Sequence, residues 1–558
     1  MHRTIPQRSL NNEPDSHQLK PETKPVANDM SHAITPSGRA VNPWWIALTL
    51  TIATFMELLD TSIANVSLPH IAGGLGTSLD EATWVLTSYL VANAVVLPLS
   101  AWLSRVFGRK NYYMACVALF TLSSFLCGVA PNLGLLIFFR VLQGVAGGGL
   151  APSEQAMLVD TFPPAKRAAA FGLYSMAIVL APALGPTLGG WITDNSTWRW
   201  IFFINIPVGF LSLFLTSQLV TDPPAFIEER RRIKASGNAR IDYVGILLFA
   251  VGFGSLEVVL DKGQEDDWFG SSFITTFTVI SVIALVVVII WELHHKDPVV
   301  DLSLLANRNF ALACVLFFLF GFILFSTTVL MPQLLQTLDK YDATTAGMVL
   351  TPGALVIVPM APFIVRLIPI VGAKRLIFIG FFFLGVAVWH LSLLTLQADY
   401  WVFARARMLQ GFGLGFLIVP ITQVAYSYLP LEKNNKASSL TNLFRNEGGS
   451  FGITFANTVL AQRGQFHQSI LAQHLTPDSS IYRDWLQQVT SAFIHAGYSA
   501  IEAANRAEGQ LYSILTQQAS LLSYFDCFVG LIVPACAGLI LAAAIKNFKA
   551  PGKPANAH

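Results

Sequence analysis

The sequence is poor in charge, in cysteine and in nucleotide or metal signatures, and each shortage removes a class of protein. Asp, Glu, Lys and Arg make up 12% of its 558 residues, against about 25% in an ordinary soluble domain. The formal net charge is only +2, and no basic block exceeds a few residues, which argues against a nucleic-acid partner. Five cysteines (Cys116, Cys127, Cys314, Cys527, Cys536) lie in or beside apolar runs without C-x-x-C spacing. They read as small buried hydrophobes rather than a disulfide frame. No G-x-x-x-x-G-K-[ST] appears, so ATP is not expected as a direct energy source. No H-E-x-x-H or comparable ligand cluster suggests a metal site. With no nucleophile and base patterned together, no enzyme and no cofactor are expected.

Apolar length is what the chain has. Hydrophobic residues reach 53% and the mean hydropathy is +0.55. A helix needs about 20 apolar residues to cross a bilayer, and fourteen such runs can be counted, from 44–66 to 521–545. The expected fold is therefore an all-α polytopic membrane protein. Residues 1–42, with Pro6, Pro14, Pro21, Pro25 and Pro36 among polar side chains, are too polar for a core and read as a disordered tail. Lys and Arg collect in alternate gaps: Arg105, Arg109 and Lys110, then Lys166 and Arg167, then Arg230 to Arg232, Lys374 and Arg375, Lys433 and Lys436, and the terminal Lys546, Lys549 and Lys553. The positive-inside rule then puts both termini in the cytoplasm.

The chain also repeats itself. Arg140-Val141-Leu142-Gln143-Gly144 returns about 267 residues later as Arg407-Met408-Leu409-Gln410-Gly411. Pro152, Gln155, Pro163 and Lys166 are followed at nearly the same offset by Pro420, Gln423, Pro430 and Lys433. Internal repeats of this kind mark transporters whose site lies between the two halves. Accordingly, 43–220 and 309–546 read as six-helix halves. Residues 221–308 read as a linker with two inserted spans, and 547–558 as a second tail.

Charge inside these spans is costly and marks candidate sites. Glu57 and Asp60 share a face of the first span. Asp60 lies roughly 24 Å along it, and Arg140 about 9 Å in from the other side, so the two opposite charges fall at similar depths. The expectation is that Asp60 takes and releases a proton, with Arg140 favouring the carboxylate and burial the acid; a static pair locking two spans is the other reading. Glu57 is a second titratable candidate or a counter-charge for cationic substrates. Glu154 is expected near the cytoplasmic end, where a solvated carboxylate is cheap. Arg407, Arg445 and Glu447 are further cavity or coupling candidates, and Asp261, Glu265, Asp266 and Asp267 read as solvated. Gly172, Gly185, Pro186, Gly189 and Gly190 in the fifth span allow close helix approach and free a carbonyl, as generic packing or as a pliable hinge. Between Gln462 and Ser520 the chain is polar but patterned, with Trp485, Val489 and Phe493 four apart. It reads either as a cap on the bundle or as a hairpin carrying the last two spans outward.

Leu59 to Pro69, the Arg140 segment, Gly185 to Gly190 and Trp198-Arg199-Trp200-Ile201-Phe202-Phe203-Ile204-Asn205-Ile206-Pro207 together resemble the major facilitator superfamily. Ala181-Pro182, Leu260 to Gly263, Pro298 to Leu304 and Gly449 to Gly452 narrow the resemblance to fourteen-helix drug:proton antiporters of the EmrB/QacA type, on the EmrB side. That resemblance implies proton-driven export of amphipathic toxic small molecules across the inner membrane of a Gram-negative cell. It also implies delivery to a periplasmic adaptor of the EmrA type and an outer-membrane channel, with segment 462–520 as the dock. Two residues depart from the pattern. Arg105 stands where the superfamily usually has an aspartate, so that residue's gating role is not carried over, and Ala181 replaces a common glycine.

Overall fold

The computed structural model describes residues 33–34, 40–222, 227, 242–295, 298, 300–395, 398–427, 429, 433–476 and 478–546. Most of the 1–42 tail, the cations Arg230 to Arg232, Lys234 and Arg240, Pro430, and the 547–558 tail lie outside the described residues. Within the first tail, Ala33–Ile34 and Ala40–Val41 pair as a two-residue antiparallel ribbon.

Everything else regular among the described residues is helical. The first half holds α1 (Pro43–Val66), α2 (Leu68–Leu75), α3 (Leu79–Phe107), α4 (Arg109–Gly128), α5 (Leu133–Gly147), α6 (Leu150–Thr161), α7 (Pro164–Asn195), α8 (Trp200–Phe203) and α9 (Asn205–Leu219). The inserted pair is α10 (Tyr243–Lys262) and α11 (Ser272–His294). The second half holds α12 (Arg308–Thr337), α13 (Ala343–Val371), α14 (Ala373–Leu391), α15 (Tyr400–Gly415), α16 (Ile418–Tyr426), α17 (Asn434–Ala472), α18 (Ser480–His495) and α19 (Ala500–Ala544). Local chemistry sets the starts. Pro43 occupies the first turn of α1 while the Asn42 side chain accepts from the Trp44 amide at 3.1 Å. Ser78 and Glu81 form a capping box on α3.

Several spans are broken helices. The fourth bends between α5 and α6 at Gly148 and Gly149, where a Cβ would come within 2.7 Å of the Asn93 carbonyl oxygen and 2.5 Å of the Tyr112 hydroxyl. The twelfth also breaks, between α15 and α16, at Phe416 and Leu417. Thirteen segments among the described residues are long and apolar enough to cross a membrane. The remaining span, α17, is too polar for that test, yet it packs against α12, α19, α3 and α6 and buries Asn435, Ser438, Asn442, Arg445 and Glu447. Its polar side chains face protein rather than lipid. By contrast, α11 leaves Val282, Ile283, Val286 and Ile290 exposed, as a surface covered by hydrocarbon would.

The halves meet along two seams. Helix α7 runs against α13, with Gly347 beside Thr187 at one end and Gly172 against Ala361 nearer the other. Opposite it, α3 and α6 meet α17. On the side where α1 begins, here the tail side, Ser100 and Ser439 hydroxyls lie 2.9 Å apart, Asn435 donates to Ser104 at 3.2 Å and Ser438 donates to Gln155 at 2.9 Å. These bonds join the halves directly at that end. Segment 300–306 is tied to the base of α17 by Asp301, whose carboxylate meets Lys433 at 3.1 Å and Lys436 at 3.5 Å.

At the other end α17 and α19 do not stop. They have 39 and 45 residues, about 58 and 68 Å at 1.5 Å per residue, against a hydrocarbon core of about 30 Å. The short α18 lies on α19 through half-buried Tyr482, Trp485, Leu486, Val489 and Phe493. Helices α17 and α19 thus run on well past the length of one bilayer crossing, with α18 packed on α19.

Candidate functional site

The candidate residues of α1 and α5 converge. Arg140 is fully buried and Asp60 is 2% exposed. Arg140 Nη1 donates to Asp60 Oδ2 at 2.6 Å and to Gln143 Oε1 at 2.9 Å, and its Nε donates to the Val85 carbonyl at 3.0 Å. The other carboxylate oxygen, Oδ1, accepts from Gln143 Nε2 at 3.0 Å and from Asn205 Nδ2 at 2.6 Å. The guanidinium also sits over the Tyr89 ring, 4.3 Å from its centroid, a favourable contact for a cation away from water. One carboxylate therefore ties α1 to α5 and α9. Of these partners, Gln143 and Asn205 were not singled out from sequence, although a lone amide inside an apolar span was a usable signal, because buried polar groups seek partners.

Glu57, one turn earlier on α1, is buried and accepts through Oε1 from Asn93 at 3.2 Å and Tyr89 at 3.4 Å; its Oε2 has no hydrogen-bond partner. Glu154 corrects an expectation. Instead of lying solvated near the tail-side end, it is fully buried, with Oε1 accepting from Thr51 at 2.6 Å and Oε2 unbonded. The cause is the break at Gly148 and Gly149, which lets α6 press against α1 and α3. Arg445 and Glu447 do point apart. Arg445 Nη1 donates to the Tyr174 hydroxyl at 3.0 Å across the two halves. Glu447 has neither oxygen hydrogen-bonded, and its electrostatic neighbour is Glu257 on the inserted α10, whose Oε1 accepts from Ser450 at 2.9 Å. Glu257 was missed in the sequence because it lies outside the repeat. Asp261 is likewise not simply solvated, since it accepts from Thr87 on α3; Glu265 is paired with Lys262 at 2.6 Å.

The glycine-proline segment of α7 sits on α1. A Cβ at Gly185 would lie 2.2 Å from Ser62 Oγ, and one at Gly189 would lie 3.2 Å from the Ile63 carbonyl. Pro186 has no amide hydrogen to give the carbonyl four residues back, that of Pro182, and the Ser62 hydroxyl donates to it at 3.0 Å instead. Gly190 is buried in the same turn, while a Cβ at Gly172 would lie 3.6 Å from Ala361 Cβ on α13 of the other half.

In the second half the repeat is incomplete. Arg407 Nη1 donates to Gln410 Oε1 at 2.6 Å, and Gln410 Nε2 donates to Thr327 Oγ1 at 2.6 Å. This copies the Arg140, Gln143 and Asp60 chain with a hydroxyl in place of the carboxylate. At the same offset Glu57 is matched by Leu324. No group of three His, Cys, Asp or Glu side chains able to hold a metal occurs among the described residues.

Two broken, pseudo-repeated bundles enclosing buried charge are the architecture of a membrane transporter, and the comparisons agree. Residues 50–453 match the Major Facilitator Superfamily model, and the chain belongs to that family. It is 39% identical over 433 residues to the multidrug export protein EmrB of Escherichia coli K12, covering 77% of this chain and 83% of that one. It is 35% identical over 485 residues to the fatty acid resistance protein FarB of Neisseria gonorrhoeae, covering 87% and 92%. Among solved structures, the proton:xylose symporter XylE superposes with a TM-score of 0.54 at 13% identity, over 88% of this chain and 94% of that one, which supports the fold alone. The chain is an EmrB-type transporter of this superfamily and not an enzyme.

Proposed function

We propose that the chain is a proton-coupled multidrug exporter that moves amphipathic toxic compounds by alternating access between halves 43–220 and 309–546. The observation that carries this reading is the Asp60 carboxylate, which accepts three hydrogen bonds from donors on two other helices, α5 and α9. A proton on Oδ2 would set an O–H donor against Arg140 Nη1, so proton uptake and the ion pair exclude each other. Protonation therefore loosens α1 from α5 and α9, and deprotonation draws them together. Glu57, one turn away, is the neighbouring proton acceptor. On this reading Glu154, Arg407, Arg445 and Glu447 are further cavity or coupling residues, and the glycines of α7 let the seam with α1 and α13 flex. One proton moving down 100 mV releases about 2.3 kcal/mol.

The relatives' names support export of toxic amphiphiles. The distribution of Lys and Arg supports an inner-membrane orientation with both termini in the cytoplasm. On that orientation the α17 to α19 hairpin projects into the periplasm, where it would meet an adaptor of the EmrA type feeding an outer-membrane channel. Export of an endogenous amphiphile such as a fatty acid is the second reading, favoured by the likeness to a fatty acid resistance protein. A drug-sensitivity panel in an efflux-deficient host, with and without a co-expressed adaptor, separates the two. Coupling is tested in inverted vesicles with Asp60→Asn: wild-type proton-driven uptake by that variant removes Asp60 from the mechanism.

A further inference from the structure

The inserted α10 brings charge against the second half that the repeat does not account for. Glu257 is 3% and Glu447 6% exposed, and they lie about 21 and 20 Å along α10 and α17 at 1.5 Å per residue, the depth of Glu57 on α1. The two helices are bonded face to face at this level. The Ser450 hydroxyl donates to Glu257 Oε1 at 2.9 Å, and the Thr454 hydroxyl donates to the Leu260 carbonyl at 2.8 Å. Glu447, Ser450 and Thr454 recur at helical spacing and so share one face of α17. Glu447 thus stands on the face that meets Glu257, with both of its oxygens buried and unbonded. Among the described residues no Lys or Arg is the electrostatic partner of either carboxylate. Arg445 is turned to Tyr174, Glu154 of α6 to Thr51, and Asp526 of α19 to Arg463 and His467. On the other sides α12 presents Phe318, Phe322 and Phe325 to the glycines beside Glu447, and α3 presents Val91 and Val95 to Gly254.

Two neighbouring buried carboxylates without a cation do not both ionise, and a proton held by the pair removes the repulsion. A proton also needs no cavity. A way out runs along the same helix. Glu257, Asp261 and Glu265 are spaced four apart on α10 and the turn that follows it, one face leading from the buried pair to the exposed Glu265. Each is the electrostatic neighbour of the next; Asp261 accepts from the Thr87 hydroxyl of α3, and Glu265 is paired with Lys262 at 2.6 Å. We infer that Glu257 and Glu447 together hold one exchangeable proton, reached through Asp261 and Glu265 from the side away from Pro43, so that the inserted α10 carries a proton site separate from Asp60. This rests on the export reading for its role there, which is to supply a further coupling proton.

The test uses the full chain in two settings. In lipid nanodiscs at neutral pH, the infrared spectrum of wild type is expected to contain a protonated-carboxyl C=O band that Glu257→Gln with Glu447→Gln loses. Each single variant keeps one carboxyl and is expected to shift that band, and Asp261→Asn to slow its exchange with deuterium. Absence of the band, or a band unaltered in either single variant, overturns the shared proton; exchange in Asp261→Asn as fast as in wild type overturns the route. In inverted vesicles the probe is ethidium, accumulated against a membrane potential. One coupling proton fewer per cycle lowers the limiting accumulation about fiftyfold at about 100 mV, and the double variant is expected to show that loss while still accumulating ethidium under a pH gradient. Accumulation equal to wild type, or loss of pH-driven accumulation as well, overturns the coupling role. The export reading fails separately, if wild type accumulates no ethidium under any gradient while the infrared band is present.

Discussion

Replacing Asp60 by asparagine is a sharp test of how the first half holds its charge. Asp60 accepts three N–H bonds, one from Arg140 on Oδ2 and two on Oδ1. An asparagine oxygen can keep either the first or the other two, and in each orientation its NH₂ group faces a donor. The larger loss is electrostatic. Arg140 is fully buried with Nη2 already unbonded, and no described carboxylate other than Asp60 forms an ion pair with it. Removing one member of a buried pair costs about 3–5 kcal/mol, whereas replacing both by apolar groups is close to neutral or stabilising. Asp60→Asn is therefore expected to destabilise by about 3–5 kcal/mol, and Asp60→Asn with Arg140→Met to recover most of that loss, giving a coupling energy of about 3 kcal/mol. Unfolding by SDS in mixed micelles, followed by tryptophan fluorescence, reads these values. A single variant within about 1 kcal/mol of wild type, or a double variant as unstable as the single, would refute the account of a guanidinium dependent on this one carboxylate. The double variant is also expected to remain without proton-driven flux, which separates folding from coupling.

Gly185→Val should stop transport in vesicles, because its Cβ would meet Ser62 Oγ at 2.2 Å and force α1 off α7, while Gly73→Ala, with nothing within 4 Å, should leave flux unchanged. Outside the membrane, burial opposes ionisation of Asp301, but the Ser303 hydroxyl and then Lys436 and Lys433 outweigh it and hold the carboxyl below its usual range. A depressed folded-state value stabilises above the unfolded value of about 3.9 and loses that contribution as pH falls through the folded one. Asp301→Asn should thus lower the melting temperature at pH 7, with the difference from wild type shrinking below pH 4; a difference that grows in acid would contradict this. On the outward hairpin, Ile501 and Tyr512 are exposed. Changing both to Asp should leave flux in vesicles intact and abolish resistance in cells carrying the adaptor, and unchanged resistance would remove that face from docking.

Much of this protein was legible in the order of its residues. Apolar runs of bilayer length, the doubled Arg-x-x-Gln-Gly segment and the depths of Asp60 and Arg140 follow from local spacing and helix rise, and these were enough for the class of fold and for the central pair. What sequence order could not supply were facts of rotation and crossing. Asn205 lies 145 positions from the carboxylate it serves. Glu154 is buried because two glycines bend its span, and Glu257 meets Glu447 only because the inserted α10 packs on α17. The polarity of α17 is tolerated only through the protein neighbours around it. Hydrophobic length is a property of a segment on its own, whereas the partners of a buried polar atom depend on which faces two helices turn toward each other, and only the packed bundle decides that.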